Sequence, residues 1–297
     1  MVKGKKTLKK NPFNQKHCSP KNSNNTISCI DDDLLIKIAN ILNKFHKSNI
    51  NANNKKTLHK QISDKLSKMS KCKSESCWVS INEIIEHLSS CELSRFKNSF
   101  RPCMPKSWNK DRRALTSTTD LEKVLKQYEE CYTKFRSYGA LPLDFDLKKN
   151  NDCVSGDLCN IDLDEHFRNN KTSIGFIFNY DEHDEPGSHW VSMYVDLLPN
   201  NNRDNPTIYF FDSVGDKPPK EIKRLIKNIS KQYKDIKGEK IDYLYNDIQH
   251  QQDDSECGIY CLHFITRMLN GIDFDKYINK IKDDDYMNKY RDFYYIR

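Results

Sequence analysis

The chain has 297 residues, enough for one sizeable hydrophobic core with a smaller accessory unit. It is 36% hydrophobic and 31% charged, which is polar for a globular protein, yet 14 Phe and 15 Tyr argue against wholesale disorder. No apolar run approaches the roughly 18 residues needed to cross a bilayer, and the start MVKGKKTLKK lacks the apolar segment of a signal peptide, so the sequence predicts a soluble, unsecreted protein with no membrane partner.

Residues 1–28 are rich in Lys, Asn and Ser and nearly free of apolar side chains, the pattern of a disordered basic tail. The net charge of +7 is concentrated there, with Lys3, Lys5, Lys6, Lys9 and Lys10 close together. Such a tail can hold nucleic acid, or can simply keep the chain in solution. Residues 29–95 read as a helical accessory unit. DDDLLIKIANILNKFH sets Leu34, Leu35, Ile38, Ile41, Leu42 and Phe45 on one face behind three N-terminal aspartates, and weaker helical patterns follow at 55–69 and 81–93. Pro102 and Pro105 interrupt the pattern, and the span 96–297 is expected to form the main domain.

Within that span, Thr119 and Glu122 suggest a capping box opening a helix through Leu121, Val124, Leu125, Tyr128, Tyr132 and Phe135. The period then changes to two. Runs at 174–180, 189–197, 207–212 and 240–247 are β-branched and aromatic, and the second alternates Val191, Met193, Val195 and Leu197 against Trp190, Ser192, Tyr194 and Asp196. An amphipathic helix begins at Pro218, with Ile222, Leu225, Ile226, Ile229 and Tyr233 on its apolar side. A second helix follows Cys257, apolar on two faces and therefore central. The order strands, helix, strand, helix predicts an α+β domain.

Eleven cysteines with no CxxC pair disfavour both a disulfide framework and a zinc ribbon, so reduced thiols in an intracellular, reducing compartment are expected. The spacings Cys72 to Cys77 and Cys153 to Cys159 would at most be metal half-sites; neither a metal nor another cofactor is expected.

Three of these elements bring chemistry together. The runs 189–197 and 207–212 are joined by a short polar loop, LPNNNRDNP, so they should pair antiparallel, which sets the start of one beside the end of the other. His189 and Asp212 then meet at one rim of the sheet. The carboxylate would orient the imidazole and favour its charged form. Cys257 lies at the mouth of the central helix, where the dipole and free backbone N–H groups favour a thiolate. Gly258 beside it would leave room for substrate. Gln251, in the preceding loop, could turn an amide N–H toward the same point as an oxyanion donor, with Gln252 as the neighbouring alternative.

The stretches GSHWVSMYVDL, IYFFDSVG and QQDDSECGIYCLHF resemble the His-Trp, Asp-Ser and Gln…Asp/Glu-Cys-Gly motifs of the cysteine proteases that cleave SUMO-like modifiers, a family shared with viral maturation proteases. FRPCMPKSWNKD, DLEKVLKQYEECYTKF and ALPLDFD are similar to the thiol proteases of giant DNA viruses of the mimivirus type. The strong motifs span about 174–270 and leave the helical unit outside. The resemblance implies a central mixed sheet with a buried helix carrying the nucleophile Cys257. It assigns His189 as base, Asp212 as its orienting carboxylate, Gln251 as oxyanion donor, and Trp190 as the cover of a narrow tunnel that admits only glycines. It further implies a thiol endopeptidase cleaving after Gly-Gly sequences, processing viral precursors in the virion and host cytoplasm. Alternatives are an isopeptidase acting on ubiquitin-like conjugates, an acetyltransferase using the same triad, and a binding module that keeps the fold without turnover.

Overall fold

Helical periodicity early in the chain and two-residue alternation later segregate into two units, Met1–Cys103 with Phe293–Arg297, and Met104–Asp292, in this computed structural model. The structure describes residues 17–23, 27–72, 74–149, 152–200 and 203–296.

The first unit packs α1 (Asp32–His46) and α2 (Lys55–Met69) with three short helices, α3 (Glu75–Trp78), α4 (Asn82–Ile85) and α5 (Ser90–Lys97). Asp31 caps α1 by accepting from the Leu34 backbone N–H at 3.0 Å, and the acidic first turn complements the helix dipole. Leu34, Leu35, Ile38 and Leu42 are buried against Leu58, Ile62 and Leu66 of α2, as their spacing requires. Phe45, expected on that face, is instead 47% exposed and stacks on His87. The single pattern at 81–93 resolves into α4 and α5 because Ser89 and Glu92 build a capping box that restarts the helix.

Two expectations need correction. Residues 1–16 and 24–26 of the basic tail lie outside the described residues, but residues 17–23 are not disordered: Cys18 is buried and pairs with Phe100 in an isolated bridge. Six cysteines are also joined, Cys18–Cys29, Cys72–Cys77 and Cys153–Cys159, where a reduced set was expected. The two spacings weighed as metal half-sites thus close short loops as disulfides. Among the described residues no group of three or more metal-ligating side chains assembles. No described helix is long and apolar enough to cross a membrane.

The second unit is the expected α+β domain. Its five-stranded mixed sheet has the order β1 (Phe135–Leu141), β4 (Ser173–Asn179), β5 (Trp190–Asp196), β6 (Thr207–Phe211) and β7 (Asp242–Tyr245). The β1–β4 and β6–β7 pairs are parallel; β4–β5 and β5–β6 are antiparallel. A two-stranded ribbon, β2 (Lys148–Lys149) with β3 (Asp152–Cys153), lies between β1 and β4 in sequence, followed by α7 (Gly156–Cys159) and α8 (Leu163–Arg168). One face of the sheet, with Ile174, Phe176, Val191, Met193, Ile208 and Phe210, shares a core with Ile222, Leu225 and Ile229 of α9 (Lys220–Lys237). The other face receives α10 (Cys257–Leu269): Phe211 stacks on Phe264 at 5.0 Å. A Cβ at Gly175 would collide with the Phe135 ring, so glycine makes room on β4 for that side chain beneath the helix residue Ile265. The unit closes with α11 (Phe274–Ile278) and α12 (Asp284–Tyr294), whose last residues belong to the first unit.

The helix preceding β1 differs in two ways from its sequence reading. It is α6 (Thr118–Cys131), capped two residues earlier than expected by Ser117 with Asp120 as the reciprocal partner. It also stops before Tyr132, and Phe135 opens β1 rather than continuing the helical face.

Candidate active site

The β5–β6 register pairs Ser192 with Phe211, so each step past Phe211 approaches the start of β5. His189 and Asp212 accordingly meet at that rim, with His189 Nε2 2.7 Å from Asp212 Oδ1. Asp212 is fully buried, and two further donors serve its carboxylate. The Tyr180 hydroxyl donates to Oδ2 at 2.7 Å, and the Val214 backbone N–H donates to Oδ1 at 3.0 Å. Its backbone is fixed by Asn246, which accepts from the Asp212 N–H at 2.9 Å and donates to the Asp212 carbonyl at 2.8 Å. Neither Tyr180 nor Asn246 was named from the sequence. Tyr180 ends the 174–180 run and could have been found by the rim argument that placed His189; Asn246 lies beyond β7 and gave no signal.

Cys257 lies close enough to His189 to act on its charge, so the ring stands between carboxylate and sulfur. Burial opposes charging the imidazole, but the hydrogen bond to Asp212 and the influence of Asp212 and Cys257 on its charge outweigh it, and the pKa is pushed up to about 10. The ring therefore holds a proton readily between its two neighbours. Cys257 is buried at the first position of α10, and Glu256 before it makes no side-chain cap to the helix. The first-turn N–H groups are thus left for a ligand. Cys261, one turn further in, is a different thiol: burial pushes its pKa well up, and Ser192 faces it.

Gln251 is buried while Gln252 is exposed. The Gln251 side-chain Oε1 accepts from the Ser213 hydroxyl at 2.7 Å, its Nε2 donates to the Asp253 carbonyl, and its backbone N–H donates to the Ser213 carbonyl at 2.8 Å. The loop before the nucleophile is thereby tied to the segment after Asp212.

Trp190 is buried, and its Nε1 donates to the Thr116 carbonyl at 3.1 Å. Both residues line a cleft of about 510 Å³ with Leu115, Leu141, Pro186 and Gly187. The space over Gly258 is not open to substrate as expected; Thr116 fills it, and a Cβ at Gly258 would collide with the Thr116 hydroxyl.

A buried ion pair adjoins the nucleophile. Arg291 Nε donates to Glu256 Oε2 at 2.9 Å, and the two side chains are 0% and 1% exposed. Arg291 also donates to the Ser255 carbonyl at 3.0 Å and the Ala114 carbonyl at 2.8 Å, and lies 4.3 Å from the Trp108 ring centroid. Trp108 Nε1 donates to the same Ala114 carbonyl at 2.9 Å. Residues 114–117 are thus held over α10 through alternate carbonyls, at Ala114 and Thr116.

Comparison with known proteins places this arrangement in context. The description "Ulp1 protease family, C-terminal catalytic domain" matches residues 162–296. A protein of Acanthamoeba polyphaga mimivirus named "Putative thiol protease R355" is 30% identical over 288 residues, covering 88% of this chain and 87% of the relative. A cysteine protease of African swine fever virus is 29% identical over 107 residues, 36% of this chain and 38% of that protein; in other isolates its name reads SUMO-1 cysteine protease. The crystal structure of an African swine fever virus protease superposes with a TM-score of 0.70 at 19% identity, over 95% of this chain and 96% of that one. That likeness extends over the fold.

Proposed function

The chain belongs to the Ulp1 protease family and is a cysteine protease, and from that premise we propose that it is an endopeptidase cleaving after Gly-Gly sequences through Cys257, His189 and Asp212. The observation that carries this reading is the bridging ring: His189 stands between the buried Asp212 carboxylate and the Cys257 sulfur. The thiolate attacks the scissile carbonyl, and the negative oxygen of the tetrahedral adduct is met by first-turn N–H groups of α10 and by Gln251. An amide NH₂ carries two protons, and one of those on Gln251 is engaged by Asp253. The imidazolium gives its proton to the leaving amine, leaving an acyl-enzyme. Water, deprotonated by the same ring, then releases the acid and restores the thiol.

The catalytic domain is assigned to Met104–Asp292, with the helical residues 29–95 as an accessory unit. Viral thiol proteases among its relatives support a role in processing precursor proteins during particle assembly. The second reading, an isopeptidase for ubiquitin-like conjugates, is favoured by the SUMO-1 name that one relative carries. The basic segment Lys3–Lys10 is assigned to nucleic acid.

Purified protein should cleave a Gly-Gly-Xaa peptide. Cys257→Ser should abolish both cleavage and alkylation by iodoacetamide at that site, while Cys261→Ser leaves both largely intact. The reverse pattern would make Cys261 the nucleophile, and comparison with a modifier conjugate separates endopeptidase from isopeptidase.

A further inference from the structure

Tyr180 follows Asn179, which pairs with Trp190, and so stands opposite His189 just beyond the end of β4. Its backbone N–H donates to the His189 carbonyl at 2.9 Å, and its ring centroid lies 5.2 Å from that of the imidazole. The hydroxyl reaches past His189 to Asp212 Oδ2 at 2.7 Å. Because β5 lies between β4 and β6, this bond crosses two strand spacings, roughly 9–10 Å between backbones. A phenol is long enough for that span; a serine or threonine hydroxyl is not.

The bond matters to the acid it serves. Asp212 Oδ1 is engaged by His189 and the Val214 N–H, and among the described residues the Tyr180 hydroxyl is the donor to Oδ2. With both oxygens held, the carboxylate resists turning about its Cβ–Cγ bond, and its plane stays on the imidazole. Leaving a buried, ionised oxygen without a donor costs more than leaving a neutral one. Tyr180 is half-buried and forms one side of an open groove of about 390 Å³ with Leu143, Asp216, Lys217 and Pro219. A ring that only walled this groove would need no hydroxyl, yet the hydroxyl is directed inward to the buried acid. Burial and the Asp212 charge push the phenol's pKa far up, so it remains a donor throughout the working range of pH.

Resting on the triad reading above, we propose that Tyr180 is a positioning residue for the reaction: its hydroxyl holds the Asp212 carboxylate in the orientation that keeps His189 aimed at Cys257. It acts on the acid rather than on the peptide, so its removal falls on kcat and not on KM. It acts through the acid's charge, so its effect disappears when that charge is gone. A hydrogen bond to an ionised group of this kind corresponds to a factor of about 10 to 150.

The test uses the full chain with a fluorogenic Gly-Gly-Xaa peptide. Tyr180→Phe keeps the ring and removes the hydroxyl; it should lower kcat about 10- to 150-fold with KM near that of wild type. In an Asp212→Asn background the same substitution should cost no more than about twofold, since no charge is left to hold, whereas a purely structural ring would multiply its loss into that of Asp212→Asn. Alkylation of Cys257 by iodoacetamide needs no peptide and should slow in Tyr180→Phe at about pH 6, where the thiolate depends on its charged neighbour. Should Tyr180→Phe not fold, para-aminophenylalanine and para-methylphenylalanine at position 180 share one shape and differ in the donor. The first should keep turnover close to wild type, and the second should lose it. An unchanged kcat in Tyr180→Phe, or a loss that multiplies with that of Asp212→Asn, overturns the inference and leaves the triad intact. Wild-type turnover in Asp212→Asn removes the triad reading and this inference with it. If the wild type does not cleave the peptide, the Gly-Gly reading falls, and equal alkylation rates in wild type and Tyr180→Phe then overturn the inference on their own.

Discussion

Asp212 accepts hydrogen bonds from an imidazole, a phenol and a backbone amide while fully buried, so its charge is directed at neighbours rather than lost to solvent. Because His189 is held at a pKa of about 10, well above an ordinary histidine, its charged form persists through neutral pH and is lost only as pH rises through that value. The alkaline limb of the kcat/KM profile should therefore lie near pH 10. Asp212→Asn removes the carboxylate charge and sets the wrong tautomer. It should cut kcat by about 10³- to 10⁴-fold and bring the alkaline limb down toward that of an unperturbed histidine, about pH 6.5. A pH–rate series on both proteins measures this, and an unmoved limb would separate His189 from Asp212. The pairing was legible from sequence because antiparallel neighbours force it. The bonds made by Gln251, and Thr116 above Gly258, were not, since they depend on side-chain directions that no spacing encodes.

The elements that sequence reading found are those whose periodicity is enforced by burial. The β5 strand is buried on both faces yet alternates between the α9 and α10 sides, and α9 shows one apolar stripe, so each announces itself. The β1 strand was missed because only Phe135, Ala140 and Leu141 are buried, while Arg136 to Gly139 are half-exposed and Gly139 adopts a positive φ. α12 was missed as well, and with it Arg291, whose charge reaches back to the residue before the nucleophile. Removing one partner from a buried pair strands the other, at a cost of about 3–5 kcal/mol, whereas neutralising both costs less. Arg291→Met should lower the unfolding free energy by about that amount and slow alkylation of Cys257, while Glu256→Gln/Arg291→Met recovers much of the stability. Urea denaturation of the three proteins decides it; a single variant as stable as the double would refute the coupling.

At the level of the whole molecule, the basic tail and the first unit have to be separated with care. The Cys18–Cys29 disulfide ties the residues following the tail into the helical core, so a deletion through residue 28 would remove a structural link along with the charge. Deleting residues 1–16 leaves it intact. That truncation should weaken DNA binding and reduce the dependence of log K on log salt by about 0.9 for each lysine–phosphate contact removed. Titration of a labelled duplex at several salt concentrations reads both. Binding with an unchanged slope would move the contact elsewhere, for instance to the exposed lysines of α9, Lys223, Lys227, Lys231 and Lys234. The two-unit architecture, with its last residues returning to the first unit, was beyond sequence reading because that return rests on contacts between residues far apart in the chain: the Cys103–Ile296 bridge, Ile296 in the first unit's core, and Arg101 donating to the Phe293 carbonyl.

The order in which Glu256 and Arg291 occur gives the ion pair a temporal meaning. They are 35 positions apart, so at about 5–20 residues per second the ribosome delivers the arginine roughly 2 to 7 s after the glutamate. During that interval a nascent chain has its sulfur beside an acid that lacks its partner, and the Ala114 carbonyl has Trp108 as its donor but not yet Arg291. Until the arginine is in place, the acid next to the nucleophile has no counter-ion among the groups that surround it in the folded chain.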